Sequence, residues 1–381
     1  MSAPQLFQSS DPNAPAGQSN VAGTLVAVLD ALLVNGYTTF SVTSITRGGS
    51  TATVTATSHG LVTGEIVRIA GAAQTEYNVD AVITKIDANT FTYAVGGTPA
   101  TPATGTITGR KAPAGGGWTI AYTGTNKRAY RAPAGNRFYL RVDDSAAATA
   151  YSRVRVYETM SDVDTGTGPV PTEAQVTGGN YIIKSDGSSA RTWKMVADNR
   201  AFWMWLDLDG TPGSHSNLWG FGDFPSYKSG DAYNTFLMAF SGASYNSNYL
   251  AYCYFTWSVA QNGLYLVRSF GQAGGSITFQ PLINPTLSNY SSGYIGIGSS
   301  GYATYPEPVN GGLIIDRCTV MEPALKALRG YLPGLWYGYP ARAFGHGDII
   351  AATGTYAGKQ LMQLNIANTT SVMVELTDWW T

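Results

Sequence analysis

Between residues 42 and 109 apolar and polar positions alternate in five short runs. They are Val42-Thr43-Ser44-Ile45-Thr46, Thr51-Ala52-Thr53-Val54-Thr55, Glu65-Ile66-Val67-Arg68-Ile69, Ala81-Val82-Ile83-Thr84-Lys85-Ile86 and Thr90-Phe91-Thr92-Tyr93-Ala94-Val95. A period of two is that of a strand with one wet face. Gly48-Gly49, Ser58-His59-Gly60, Gly71, Asp87-Ala88-Asn89 and Gly96-Gly97 punctuate the runs where turns need Gly, Asn or Asp. The spacing predicts a small β-sandwich or barrel.

The segments on either side read differently. Residues 1–20 begin Pro/Ser/Gln/Gly-rich and predict an extended arm, loose or pinned on a neighbour. Val21, Leu25, Val28, Leu29, Leu32 and Leu33 then form one apolar stripe at helical spacing, stopped by Asn35-Gly36, which predicts a helix over 21–34. Ala112-Pro113-Ala114-Gly115-Gly116-Gly117 predicts a flexible link. Beyond it, strands alternate at 118–122, 137–142 and 152–157, with Arg137, Arg141, Arg153 and Arg155 on polar faces and Asp143 and Asp144 as counter-charges. Aromatic strands follow at 201–206, 235–240, 250–259 and 263–268, with further candidates at 276–279, 294–297 and 313–320. Trp203-Met204-Trp205 is large on both faces, so that strand is expected to be buried on both sides. Pro323 and Gly330 frame a short helix over 323–329. The tail closes with strands at 348–351, 361–366 and 372–376, and Trp379-Trp380 are expected to be packed.

The expected fold is therefore mainly β: β-sandwich or barrel-like domains with one N-terminal helix, one short C-terminal helix and an inserted small β-domain. The segments are an arm at 1–20, a body split between 21–37 and 113–175, an inserted module at 38–112, an aromatic-rich β-domain at 176–330, and a C-terminal β segment at 331–381.

Composition narrows the function. Only 12% of the 381 residues are charged, against 45 Gly and 24 Tyr, and the net charge is −1. That balance gives no electrostatic footprint for nucleic acid or an anionic membrane. A weakly charged, tyrosine-bearing β surface is poorly protected against association and suits interfaces with other chains. No stretch of 18 apolar residues is present, and the N-terminus lacks the basic and apolar regions of a signal peptide, so neither membrane insertion nor secretion by that route is expected. Cys253 and Cys318 lie far apart in strand-like runs and read as buried thiols; their pairing cannot be deduced.

Candidate chemistry is sparse. Gly296-Ile297-Gly298-Ser299-Ser300-Gly301 matches a dinucleotide fingerprint, but the proline-broken run after it cannot be the required helix. Asp162, Asp164 and Glu173 occupy positions 1, 3 and 12 of a calcium-loop template, yet Thr167 replaces the required glycine and two prolines break the spacing. The three histidines are too separated for a metal cluster. Asp207, Asp209, Asp223 and Asp231 lie near Trp203, Trp205 and Trp219, a composition resembling a sugar cleft, although turn aspartates beside core tryptophans explain it as well. No catalytic residue, cofactor or resident metal is expected. A recognition surface is expected on the loops carrying Tyr227, Tyr233, Tyr245 and Tyr249.

Three segments resemble virion structural proteins of tailed bacteriophages. They are Gly117-Trp118-Thr119 through Arg137-Phe138-Tyr139-Leu140-Arg141-Val142-Asp143-Asp144, Arg153-Val154-Arg155-Val156-Tyr157-Glu158 through Gly168-Pro169, and Gly330-Tyr331-Leu332-Pro333-Gly334-Leu335-Trp336 through His346-Gly347-Asp348. Separately, Ser58-His59-Gly60-Leu61 with Gly64, Val67, Tyr77-Asn78 and Thr90-Phe91-Thr92-Tyr93 resembles a small β-module of phage tail and baseplate proteins. The resemblance implies a body chain that runs from Gly36-Tyr37 to Gly117-Trp118 with little between. It further implies a non-enzymatic particle component of tail, baseplate or neck, partnered by copies of itself and other virion proteins. Host recognition through cell-surface glycan, or a place as a head-surface decoration or fibre, is the alternative; a glycan-degrading enzyme is a third.

Overall fold

The computed structural model describes all residues except 1–2, 147–150, 177–179, 186, 214, 241–261, 280–304, 341, 368–369 and 381. The chain is mainly β, and its described residues form three antiparallel sheets. The longest sheet runs, in spatial order, Gln5–Gln8, Trp193–Ala197, Ala201–Asp207, Ser216–Asp223, Thr235–Phe240, Tyr181–Ile183, Tyr151–Met160, Tyr139–Asp143, Lys127–Arg131 and Thr119–Gly124. It crosses position 175 without a break. Within the stretch read as an arm, Gln5–Gln8 pair with Trp193–Ala197 of the same chain, and Phe7 is fully buried. The run expected at 250–259 and the one at 294–297 lie outside the described residues, as does Cys253.

The strand Ala201–Asp207 is buried along its whole length. Phe202, Met204 and Leu206 face one core, while Trp203 and Trp205 face the other. Both indoles also find acceptors: Trp203 Nε1 donates to the Pro333 carbonyl at 2.7 Å and Trp205 Nε1 to that of Asn365 at 2.9 Å. These two bonds tie the long sheet to the C-terminal sheet, so each tryptophan supplies packing and register together.

The first core is closed by the helix. It covers Thr24–Leu29 and continues as a wider turn over Asp30–Asn35, where the Gly36 amide reaches back to the Ala31 carbonyl at 2.8 Å. Leu25, Val28, Leu29, Leu32 and Leu33 are fully buried, whereas Val21 precedes the helix and is half exposed.

The C-terminal sheet orders Ile314–Glu322, Ala327–Tyr339, Thr370–Glu375, Gln360–Ala367 and Ile349–Ala351. Two expectations are corrected here. The short helix over 323–329 does not form: Lys326 takes φ +52° in a turn, and Ala327 begins a strand paired with Glu322. The strand Ala327–Tyr339 also runs through position 330, where a boundary was expected. The reason is long-range. Arg329 is buried against Asp231 and Glu322, an arrangement that an extended backbone satisfies and a solvated helix end would not. Cys318 is a buried thiol on this sheet, Trp379 is buried and Trp380 half-buried.

Residues 37–111 form the third sheet, ordered Tyr37–Ser41, Gly105–Lys111, Ile66–Ala72, Asp80–Lys85, Thr90–Ala94, Thr51–Thr55 and Ser44–Gly48. The Ala103 amide donates to Ile45 at 2.8 Å and that of Val42 to Ile107 at 3.0 Å, drawing the two ends together around a separate core. The motif residues are its staples. His59 is buried, its Nδ1 accepting from the Leu61 amide at 3.0 Å and its Nε2 lying 3.1 Å from the Asp87 carbonyl. Asn78 bonds both backbone groups of Ala72 at 2.9 Å. The link at 112–117 is packed, contrary to its glycine-rich look. Ala112 and Ala114 are fully buried, and a Cβ on Gly115 would meet Asn199 backbone at 2.4 Å.

Candidate functional site

The sites suggested by sequence are dispersed by the fold. Asp164 pairs with Lys127 at 2.9 Å and with Arg141, while Glu173 pairs with Arg155 at 2.6 Å. Asp162 accepts from the Asp164 amide at 2.7 Å. Hydrogen bonds from Lys127 and Arg141 hold the Asp164 carboxyl below the usual range, and the Asp164 amide does the same for Asp162. The three acids thus close a loop over a basic sheet face; they do not converge on a point. Among the described residues no group of three metal-ligating side chains is gathered anywhere.

Trp203, Trp205 and Trp219 are all buried, so none offers a sugar platform. Asp207 and Asp223 sit at opposite ends of paired strands, about 20 Å apart at the rise of an extended chain, too far for a glycosidase pair. Asp209 lies 2.5 Å from His215 Nδ1. Of the tyrosines, Tyr227 is 62% exposed, but Tyr233 stacks on Phe138 at 5.9 Å and lies under Arg268 at 4.2 Å. Tyr233 is therefore packed between Phe138 and Arg268. Tyr245 and Tyr249 lie outside the described residues.

What the fold does build is a polar cleft of about 490 Å³ over Asp223, walled by the 132–138 turn, Arg200 and the 226–234 loop. Gly135 takes φ +79°, and a Cβ there would stand 1.9 Å from Asp223 Oδ2. Only glycine lets the turn close so tightly. Asn136 then donates its amide to Asp223 Oδ2 at 2.8 Å, and Thr235 donates its hydroxyl to Oδ1 at 2.6 Å. Asn136 Nδ2 reaches Asn234 Oδ1 at 2.8 Å and Thr235 Oγ1 at 3.0 Å.

Beneath lies a second acid. Asp198 accepts from the amides of Arg200 and Ala201 at 2.7 and 2.8 Å and from Trp380 Nε1 at 2.5 Å. Burial raises both carboxyls, Asp223 to about 6, against the opposing hydrogen bonds and the Arg200 charge. Arg200 stacks on Trp380, its guanidinium carbon 4.9 Å from the ring centroid. On the far wall, Asp231 is held below the usual carboxylate range, despite its burial, by hydrogen bonds from Arg329 and Ser226.

Asp223 and Asp231 were visible in the sequence as acids. Arg200, Asn136 and Trp380 were not, because their only local signals are two turns and a chain end. Chemically, the floor carboxylate is shielded and fully hydrogen-bonded, so it orders the turns around it. Lys228 stands on the rim, donating to the Phe270 carbonyl at 2.9 Å.

No family model and no curated protein matches this chain. Among solved structures, the phage phi92 endosialidase is similar at 11% identity and a TM-score of 0.17, over 89% of this chain and 69% of that one. At that TM-score the likeness carries no argument about this chain.

Proposed function

We propose that this chain is a non-enzymatic structural component of a tailed-phage particle, in the tail, baseplate or neck, working by association through its β surfaces with copies of itself and other virion proteins. The observation that carries the reading is how the candidate acids are spent. Asp223 holds the 135–136 turn, Asp231 holds Arg329, and Asp164 and Glu173 strap a loop onto Arg141 and Arg155. Carboxylates committed to joining elements support construction over chemistry. The resemblance of the body segments to virion proteins points the same way, and the self-contained 37–111 sheet reads as a projecting decoration.

Host recognition is the second reading, favoured by exposed Tyr227 beside the cleft. The test is light scattering on the purified full chain, with mass spectrometry of purified particles from cells that encode it. A discrete oligomer and presence in the particle are expected. A strict monomer absent from particles overturns the reading, as does hydrolysis of a surface polysaccharide that Asp223→Asn abolishes.

A further inference from the structure

We propose that the cleft over Asp223 binds an acidic saccharide, with the Arg200 guanidinium taking its carboxylate. Several guanidinium groups of this chain are paired with acids. Arg68 pairs with Asp80, Arg128 with Asp30, Arg268 with Glu158, and Arg329 with Asp231 and Glu322. Arg200 has no such pair and no side-chain hydrogen bond among the described residues, and its Nε is buried without a partner. A planar fork stacked on an indole is held in place, so little rotamer entropy is lost when a carboxylate docks on it.

The neighbouring acids leave that fork open. Asp198 and Asp223 spend their oxygens on backbone amides, the Thr235 hydroxyl and the Trp380 indole. They offset the Arg200 charge from a distance and do not occupy its donors. An incoming carboxylate also meets Lys228 at the rim.

The rest of the lining selects the ligand class. Ser226 donates its hydroxyl to Asp231 at 2.7 Å and Asn234 Nδ2 donates to the Phe224 carbonyl at 2.5 Å, which fixes the polar walls, and Asn136 Oδ1 has no partner among the described residues, which suits a hydroxyl donor. Among the described residues, Ala232 apart, no apolar side chain lines the cleft. A protein partner would want an apolar centre. An open polar cleft of this volume has room for one or two sugar rings.

The inference goes beyond the assembly reading and stands or falls without it. Titration of the full chain with sodium glucuronate, with glucose in parallel, tests it by calorimetry at low ionic strength. Glucuronate is expected to bind, with affinity reduced about tenfold or more in Arg200→Gln and by less in Lys228→Gln, the scale of one lost charge-assisted contact. Should Arg200→Gln fail to fold, Arg200→Lys, which keeps the charge and loses the fork, is the substitute and is expected to weaken binding. The proposal is overturned if glucuronate does not bind, if glucose binds as well, or if the Arg200 variants bind unchanged. Binding of a tri-glutamate peptide without glucuronate binding would also overturn it, in favour of a protein contact.

Discussion

The backbone amide of Trp118 donates to the Leu33 carbonyl at 2.7 Å, although the whole 37–111 sheet lies between them in sequence. Next to this bond Tyr37 pairs with Lys111. The chain therefore leaves the body and returns to it at one place, the geometry in which an insertion is tolerated.

Removing residues 38–110 and joining Tyr37 to Lys111 through two glycines should leave a folded body, because a two-residue loop suits an antiparallel pair. Lys111 would lose Glu65 but keep Asp11, which also accepts from the Tyr37 hydroxyl at 2.6 Å. A cooperative thermal transition and retained β circular dichroism are expected. Aggregation of the shortened chain would show that the module is integral to the body.

Asp223→Asn should flatten part of the pH dependence of stability. The folded carboxyl titrates at about 6, above its ordinary value, so the native state binds the proton more tightly than the unfolded chain. Its contribution is fully present below the ordinary carboxyl range and is lost as pH rises through about 6. The sign is opposite to that of an acid in a salt bridge. The full difference is on the order of 2–3 kcal/mol. Urea melts between pH 4 and 7.5 should therefore show the variant gaining on the parent as pH rises. An unchanged difference at every pH would remove the assignment. Asp223→Ala, which strands the Asn136 amide and Thr235 hydroxyl, should be less stable than Asp223→Asn throughout.

How much of this was legible depended on whether the decisive contact was local. Trp203-Met204-Trp205 announced a strand buried on both faces, because alternation alone shows large residues pointing both ways. The stripe from Leu25 to Leu33 announced the helix. Pro323 and Gly330 misled, since they resemble helix punctuation while the backbone at 329 is decided by Asp231 and Glu322. The glycines at 115–117 misled likewise: they suggest slack, but Gly115 is there for its close approach to Asn199. The cleft was the least legible feature. Asp223 meets a turn at 135–136, a guanidinium at 200 and an indole network ending at 380, and no pattern along the chain links those positions.

Lys184 and Asp144 are fully buried and paired, and they pin the N-terminal helix to the long sheet. Lys184 Nζ also donates to the Val21 carbonyl at 2.9 Å, while Asp144 accepts from the Leu25 amide at 2.9 Å and the Ser152 hydroxyl at 2.5 Å. Removing either charge alone leaves the other uncompensated, at a cost of about 3–5 kcal/mol. Lys184→Met with Asp144→Leu should cost less than the sum of the single changes, measured by denaturant unfolding. Strict additivity would mean the two groups act independently.

Glu173 distinguishes a strap from a calcium loop. Its side chain is 72% exposed and that of Arg155 only 8%, so one exposed carboxylate neutralises a buried guanidinium whose Nε and Nη2 have no other partner among the described residues. Glu173→Gln should then destabilise by about 1 kcal/mol, modest because water replaces part of the exposed contact. Asp162→Asn should be close to neutral, since Asp162 only accepts from its own loop. If the loop held calcium instead, both substitutions would cost stability only in the presence of the ion, and millimolar calcium would raise the melting temperature of the parent chain. The geometry gives the opposite outcome: Asp164 is committed to Lys127 and Arg141, Glu173 to Arg155, and a cation would have to displace both sets of positive charge to enter. Melting curves with calcium and with EDTA should therefore superimpose, while the Glu173→Gln curve shifts downward in both.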